Sequence, residues 1–307
     1  MMQPPVVQSC ATTMVNASFA WTVGVLASRA WLEQGGDVRP GNVRAKLSSS
    51  MGIGIVVCIV ASLFSLWQAA ASMADVGLLE IDITLWRVFA ATHYGMTGLT
   101  GLGLLMLAAI VSIAGSKGIL KRQDLLVASL LGLHAASRVT LGHAFEYGPF
   151  STAVLVEWAH LMFMALWVGT VMTAAWVVLP YFGTARTMSR LPSAYLASVS
   201  TWSTVALTGI VATGVFNTYR VLAHPAELVT TGYGWVLTTK LAFVAVAIGL
   251  GAYNRFVGFP MASGRWQEAG GQNLRSETLV MRIESIVLLL VLGAAAVLAE
   301  SAPPHAT

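Results

Sequence analysis

Apolar residues in this chain fall into long runs free of charge. Met1–Ser28, Leu47–Ala74, Val88–Ser116, Trp158–Ala185 and Leu191–Tyr219 contain no Asp, Glu, Lys or Arg. A helix needs about 20 apolar residues to cross the hydrocarbon of a bilayer, so each run is long enough to span it. Three further stretches carry interior charge: Leu125–Leu141 with Arg138, Tyr233–Phe259 with Lys240, and Leu279–Ala299 with Arg282 and Glu284 near its start. The pattern predicts eight spans, near 13–32, 51–73, 87–114, 124–142, 153–180, 196–220, 233–258 and 279–300. The expected fold is all-α: a single polytopic membrane domain over residues 1–307.

The connections between spans differ in charge. Those after odd spans hold Arg39, Arg44 and Lys46, then Lys117, Lys121 and Arg122, then Arg186 and Arg190, then Arg255, Arg265 and Arg275. Those after even spans hold Asp75, Glu80 and Asp82, then Glu146, then Glu227. Basic loops stay cytoplasmic, which predicts that both termini are periplasmic. Trp31, Trp86, Trp158 and Trp235 near span ends fit an interfacial aromatic belt. No Lys or Arg precedes Arg29, and a secretory signal needs a basic leading region. The first segment therefore reads as a retained helix.

Composition agrees. Of 307 residues, 56% are hydrophobic and 10% charged, where a soluble domain carries about 25% charged residues. This argues against a soluble, disordered, coiled-coil or nucleic-acid-binding chain. The net charge of +4 reports membrane orientation rather than a polyanionic partner. Cys10 and Cys58 are too few and too far apart in sequence for a disulfide framework or a zinc site. His-Glu-x-x-His, Gly-x-Ser-x-Gly and P-loop patterns are absent, so the sequence gives no support for a zinc protease, an α/β-hydrolase or a nucleotide-driven pump. No enzymatic activity is expected.

Ionisable groups inside a bilayer are costly and mark candidate sites. Under the predicted topology all six histidines lie at or outside the midplane on the periplasmic side. Glu157, His160 and Met164 share one face of the fifth span, with Trp167 a turn deeper. His93, expected about two turns into the third span, shares a face with Met96 and Thr97, and Met73 closes the second span on the same side. Imidazole with thioether suits copper, and thioether favours Cu(I); carboxylates nearby draw cations to the mouth. The expected scheme has Met73, Glu157 and His143 collecting copper. His93, His160, Met96 and Met164 then bind it in the outer half of the bundle.

Other groups have blander readings. Met106, Met162 and Met172 read as packing, His224 and His305 as solvated, and Gly95, Gly98, Gly101 and Gly103 as close helix packing. His134 is a deeper candidate ligand or the partner of nearby polar groups. Arg138 and Lys240 are expected to snorkel to the outer interface, and Glu284 to pair with Arg255 or Arg282. Cys58 and Met281 are expected toward the cytoplasmic side. A single Glu157-x-x-His160 pair does not satisfy a di-iron bundle, which needs two such pairs and two more carboxylates. Two histidines at similar depth, His93 and His160, leave open a b-type haem protein with bis-His ligation. A structural subunit holding neither metal nor haem is a third possibility.

The run Gly142-His143-Ala144, then Glu157-Trp158-Ala159-His160 leading to Leu166-Trp167-Val168-Gly169, resembles the copper resistance protein D family. So do Phe216-Asn217, Tyr233-Gly234-Trp235 leading to Lys240, Asn254-Arg255 with Pro260, Arg282 with Glu284, and Pro303-Pro304. The likeness covers roughly residues 140–305; before residue 130 it is looser, through Met73 and the start of the third span. It implies a bacterial inner-membrane protein that moves copper from periplasm to cytoplasm beside a periplasmic copper-binding protein. It also implies His143 and His160 as motif positions. The family often has Asp where this chain has Glu157, which keeps the charge and changes the reach.

Overall fold

The computed structural model describes residues 5–34, 41–116, 122–184, 193–221, 224, 226–259 and 275–301, and every regular element among them is helical. Arg39, Lys117, Lys121, Arg186, Arg190, Arg265, Pro260, Pro303, Pro304 and His305 lie outside the described residues. In chain order the helices are α1 (Pro5–Gln34), α2 (Gly41–Ala74), α3 (Ile83–Ala91), α4 (His93–Ser116) and α5 (Gln123–Val139). After a 3-10 turn at His143–Tyr147 come α6 (Thr152–Thr173), a π-helical turn at Ala174–Val178, and α7 (Leu179–Thr184). Then follow α8 (Ser193–Val221), α9 (Glu227–Thr230), α10 (Gly232–Tyr253), a second π-helical turn at Asn254–Gly258, and α11 (Arg275–Glu300).

Seven of these stretches are long and apolar enough to cross a membrane: Val6–Glu33, Val43–Ala74, His93–Ser116, Thr152–Phe182, Ala194–Val221, Gly232–Gly258 and Ser276–Glu300. The protein is a multi-pass membrane protein. The fourth predicted span is present as α5, which has 17 residues, about 26 Å of helix at 1.5 Å per residue. It is the shortest of the predicted set and carries Asp124, His134 and Arg138.

The third predicted span, 87–114, is broken. Thr92 is extended (φ −73°, ψ 160°); its N–H closes α3 on the Phe89 carbonyl, and its hydroxyl accepts from Gly95 N–H at 3.0 Å to open α4. A side-chain oxygen three residues before an orphan amide is a helix start. His93 is consequently the first residue of α4, exposed at the end of the bundle, not two turns inside it. Asp75 ends α2 in the left-handed region at φ 52°, which Asp tolerates better than most residues. Gly148 sits at φ 101° after the 3-10 turn, where a side chain would be strained.

α1 runs through the middle, packed against α2, α5, α6, α8 and α11. Phe19, Ala20 and Val25 are fully buried. At Gly24 and Gly169 the backbones of α1 and α6 meet: a Cβ on either glycine would fall on the main chain of the other helix, with Ala20 completing the contact. Small residues at a crossing let membrane helices approach to main-chain contact. Thr12 Oγ1 donates to Glu300 Oε1 at 3.3 Å, so the start of α1 and the end of α11 lie on one face, here the terminal face. At the opposite, basic face Arg29 is 2% exposed and pairs with Asp124 at 3.2 Å, which ties α1 to α5.

Two expectations fail. Arg138 does not snorkel: its Nη2 donates to Asn16 Oδ1 at 2.7 Å, while Nη1 is buried without a partner. α1 lies beside α5, so the nearest polar acceptor is inside the bundle rather than at the interface. Cys58 lies near mid-bundle, its thiol 3.9 Å from the Val15 carbonyl, because α2 begins at Gly41, ten residues before the predicted start at 51.

A bulky side chain at the crossing has nowhere to turn. Gly169→Val should lower stability by at least about 3 kcal/mol, read as an earlier thermal loss of the monodisperse peak in detergent. Asp124→Asn should cost about 3 kcal/mol by leaving Arg29 uncompensated, because Asp124 is about one-third exposed and its loss is partly screened. That change should shift the same transition.

Candidate functional site

On the terminal face α6 and α8 carry a polar cluster, with Lys240 of α10 within electrostatic reach. α6 starts at Ser151, whose hydroxyl accepts from Val154 N–H. From that start Glu157 and His160 fall on one face, a turn apart. α8 meets them with Thr213 and Asn217, also a turn apart. Asn217 Nδ2 donates to Glu157 Oε2 at 2.6 Å, and His160 Nδ1 lies 2.8 Å from Thr213 Oγ1. Gly209 and Gly214 of α8 make room, the first against the Phe163 ring and the second against His160 Cε1.

The hydroxyl of Thr213 already donates within its own helix, to the Gly209 carbonyl at 2.6 Å. It therefore accepts from His160, which fixes the proton on Nδ1 and leaves the Nε2 lone pair free. A histidine held this way presents a neutral, oriented donor nitrogen. His134 obeys the same rule: Nδ1 donates to the Gly101 carbonyl at 3.0 Å, and Nε2 is buried without a partner beside the Phe19 ring.

Charge arrives from α10 and α8. The Lys240 ammonium and the Arg220 guanidinium lie within electrostatic reach of the Glu157 carboxylate, and Lys240 also faces His160. Lys240 is half-buried within electrostatic reach of this carboxylate, where its length suggested a place at the interface. Thr213, Asn217 and Lys240 are members of the cluster that sequence reasoning did not put there. Part of their signal was legible: Thr213 and Asn217 are four apart and Glu157 and His160 three apart, so each pair shares one helix face.

The remaining candidates sit around this mouth. The His93 ring stacks on Phe145 at 4.5 Å, with Nε2 3.4 Å from the Thr140 carbonyl. Tyr147, on the same 3-10 turn as Phe145, lies under the Arg220 guanidinium at 4.5 Å. The turn thus bridges the start of α4 to the end of α8. His143 begins that turn, and its side chain lies outside the described residues. His93 and His160 have separate hydrogen-bond partners. Met96 is 55% exposed and Met73 57% exposed, each at an end of its helix, while Met164 packs half-buried against the core. Among the described residues no three His, Cys, Asp or Glu side chains are grouped as a metal cluster. A cavity of about 340 Å³ between α1 and α2, lined by Val7, Cys10, Met14, Val57 and Phe64, is apolar and remote from these groups.

Glu284 departs from expectation. It accepts from Asn254 Nδ2 at 2.8 Å and from Trp167, not from an arginine. Arg255 is turned to Ser200 and Thr204, and Arg282 to the Ala175 carbonyl and the Trp176 ring.

A family model described as CopD, copper resistance protein D, matches residues 193–298. Comparison with curated proteins and with solved structures returns no match. The matched segment takes in α8, α10 and α11 with Phe216-Asn217, Tyr233-Gly234-Trp235, Lys240, Asn254-Arg255, Arg282 and Glu284; the Gly142–Gly169 motifs lie before it. Residues 193–298 are thus similar to the copper resistance protein D family, the family the sequence resembles.

Proposed function

We propose that the protein carries copper across the bacterial inner membrane, from periplasm to cytoplasm, through a His/Met site near the terminal face. The observation that carries this reading is the seating of Glu157 and His160 against Thr213, Asn217 and Lys240. Three members of that cluster come from the copper resistance domain, and two from the helix before it. His160 offers a free Nε2, and Met164 follows one turn deeper on the same helix face. A neutral imidazole and a thioether can replace the hydration shell of Cu(I) without burying further charge. Met73, Met96, His93 and His143 stand around the mouth as collecting donors. Lys240 neutralises Glu157 until a cation competes for the carboxylate. A periplasmic copper-binding protein would deliver to this rim.

The same reading takes the bundle as one domain of eight crossings with both termini periplasmic. Contact between Thr12 and Glu300 supports it, since a path from the start of α1 to the end of α11 on the same face crosses an even number of times. Seven long helices therefore call for α5 as the eighth. The described basic residues Arg44, Lys46, Arg122, Arg255 and Arg275 follow helices on the opposite face, as a cytoplasmic side requires.

Purified protein should contain copper by elemental analysis and show no Soret band; a strong Soret band would favour the bis-His haem reading instead. His93→Ala/His160→Ala should abolish stoichiometric copper, and unchanged copper content in that variant overturns the ligand assignment. Thr213→Val leaves every ligand in place and removes only the acceptor that orients His160. It should weaken copper binding about 10- to 100-fold, measured by competition with a chelator of known affinity.

A further inference from the structure

Glu284 is 2% exposed and lies nine residues into α11, about 14 Å along the helix axis from its start. Among the described residues no cation stands within ion-pair distance of it. Its partners are N–H donors: Asn254 from the second π-helical turn and Trp167 from α6. Asn254 is itself 2% exposed, and its Oδ1 is buried with no donor. Thr173, just before the first π-helical turn, has a buried hydroxyl likewise unpartnered. π-helical turns inside α-helices frequently mark functional sites, and both of these pack on α11.

Among the described residues the charged groups of the neighbouring elements are engaged elsewhere. On α1, Arg29 is paired with Asp124. On α6, Glu157 and His160 belong to the terminal-face cluster. On α10, Lys240 faces that cluster and Arg255 is turned to α8. On α7, Tyr181 packs with Phe182 and Lys46. On α11 itself Arg282 lies over Trp176, and Glu277 accepts from Ser276. A metal ion would ask for several more oxygen ligands, and here it would meet N–H hydrogens. An isolated carboxylate in low dielectric is costly without a counter-charge. A proton removes that cost and supplies the donor that Asn254 Oδ1 lacks.

We propose that Glu284 is an intramembrane proton-binding site, held as the neutral acid by Asn254 and Trp167. Release breaks the carboxyl O–H bond and gives the proton to a water molecule that enters the site from the basic face. The electron pair stays on the carboxylate, and the two N–H donors hold the anion until it is protonated again. Coupling of this exchange to copper movement rests on the transport reading above; the proton site itself does not.

The test is infrared difference spectroscopy on the full-length protein in liposomes, without copper. A deuterium-sensitive carbonyl band from a protonated, water-excluded carboxyl is expected at neutral pH, and Glu284→Gln should remove it. Asn254→Leu keeps the acid and should shift the band, which preserves the test if the first variant does not fold. No such band in the wild type, or one indifferent to both variants, overturns the proton site. With copper added and a pH dye entrapped, Glu284→Gln should keep its bound copper while uptake and the accompanying pH change fall at least tenfold. Copper uptake with no pH change overturns the coupling; no uptake by a wild type that shows the band overturns the transport reading and leaves the proton site standing.

Discussion

The arrangement rests on one crossing, where Gly24 of α1 and Gly169 of α6 bring two main chains together. In lipid the hydrophobic effect offers little to hold one apolar helix against another, so close van der Waals packing decides which pairs persist. The crossing anchors α6 to the central helix and thereby sets the height of everything above it. His160 and Glu157 stand nine and twelve residues toward the terminal face, about 14 and 18 Å along the axis. α8 and α11 then pack on a fixed post, with Tyr195 bonded to Ser28 at 3.1 Å and Trp176 bonded to Ser285 at 2.9 Å. A slide of one turn at the glycines would uncouple Glu157 from Asn217 and His160 from Thr213 together.

The two intramembrane glutamates show how environment divides one residue type. Glu157 has an amide donor and two cations within electrostatic reach. Glu284 has two N–H donors and no cation among the described residues. The first arrangement sets a carboxylate within reach of cations. The second surrounds it with N–H donors alone. The two stand toward opposite faces of the bundle, so their environments are set by different neighbours.

Much of the architecture was legible because a bilayer allows few solutions: charge-free runs of 20 or more residues must be helices with satisfied backbones. The site was half legible. Spacing on one helix put Glu157 with His160, and the copper resistance likeness over the C-terminal region is matched by the domain at 193–298. What spacing within one helix cannot carry is the neighbour. Arg138 and Lys240 were read as lone helices in lipid, where snorkelling is the cheapest solution, yet Asn16 and Glu157 on adjacent helices offer better partners. The break at Thr92 was written in the sequence as a cap three residues before Gly95, but an uninterrupted apolar run concealed it.

The domain boundary bears on how the site is built. The matched region begins at residue 193, whereas Glu157 and His160 lie on the helix before it, so α8 and α10 alone present Thr213, Asn217 and Lys240 to a gap. α6 fills that gap, packed against α1 on one side and against α8 and α11 of the matched region on the other. The N-terminal helices, although looser in their family likeness, therefore do structural work for the Glu157–His160 cluster: they carry the post on which the imidazole is mounted. A substitution at Gly24, remote in sequence from the domain, would act on the same cluster as one at Thr213. It would do so by moving the whole of α6, where Thr213 acts on a single ring.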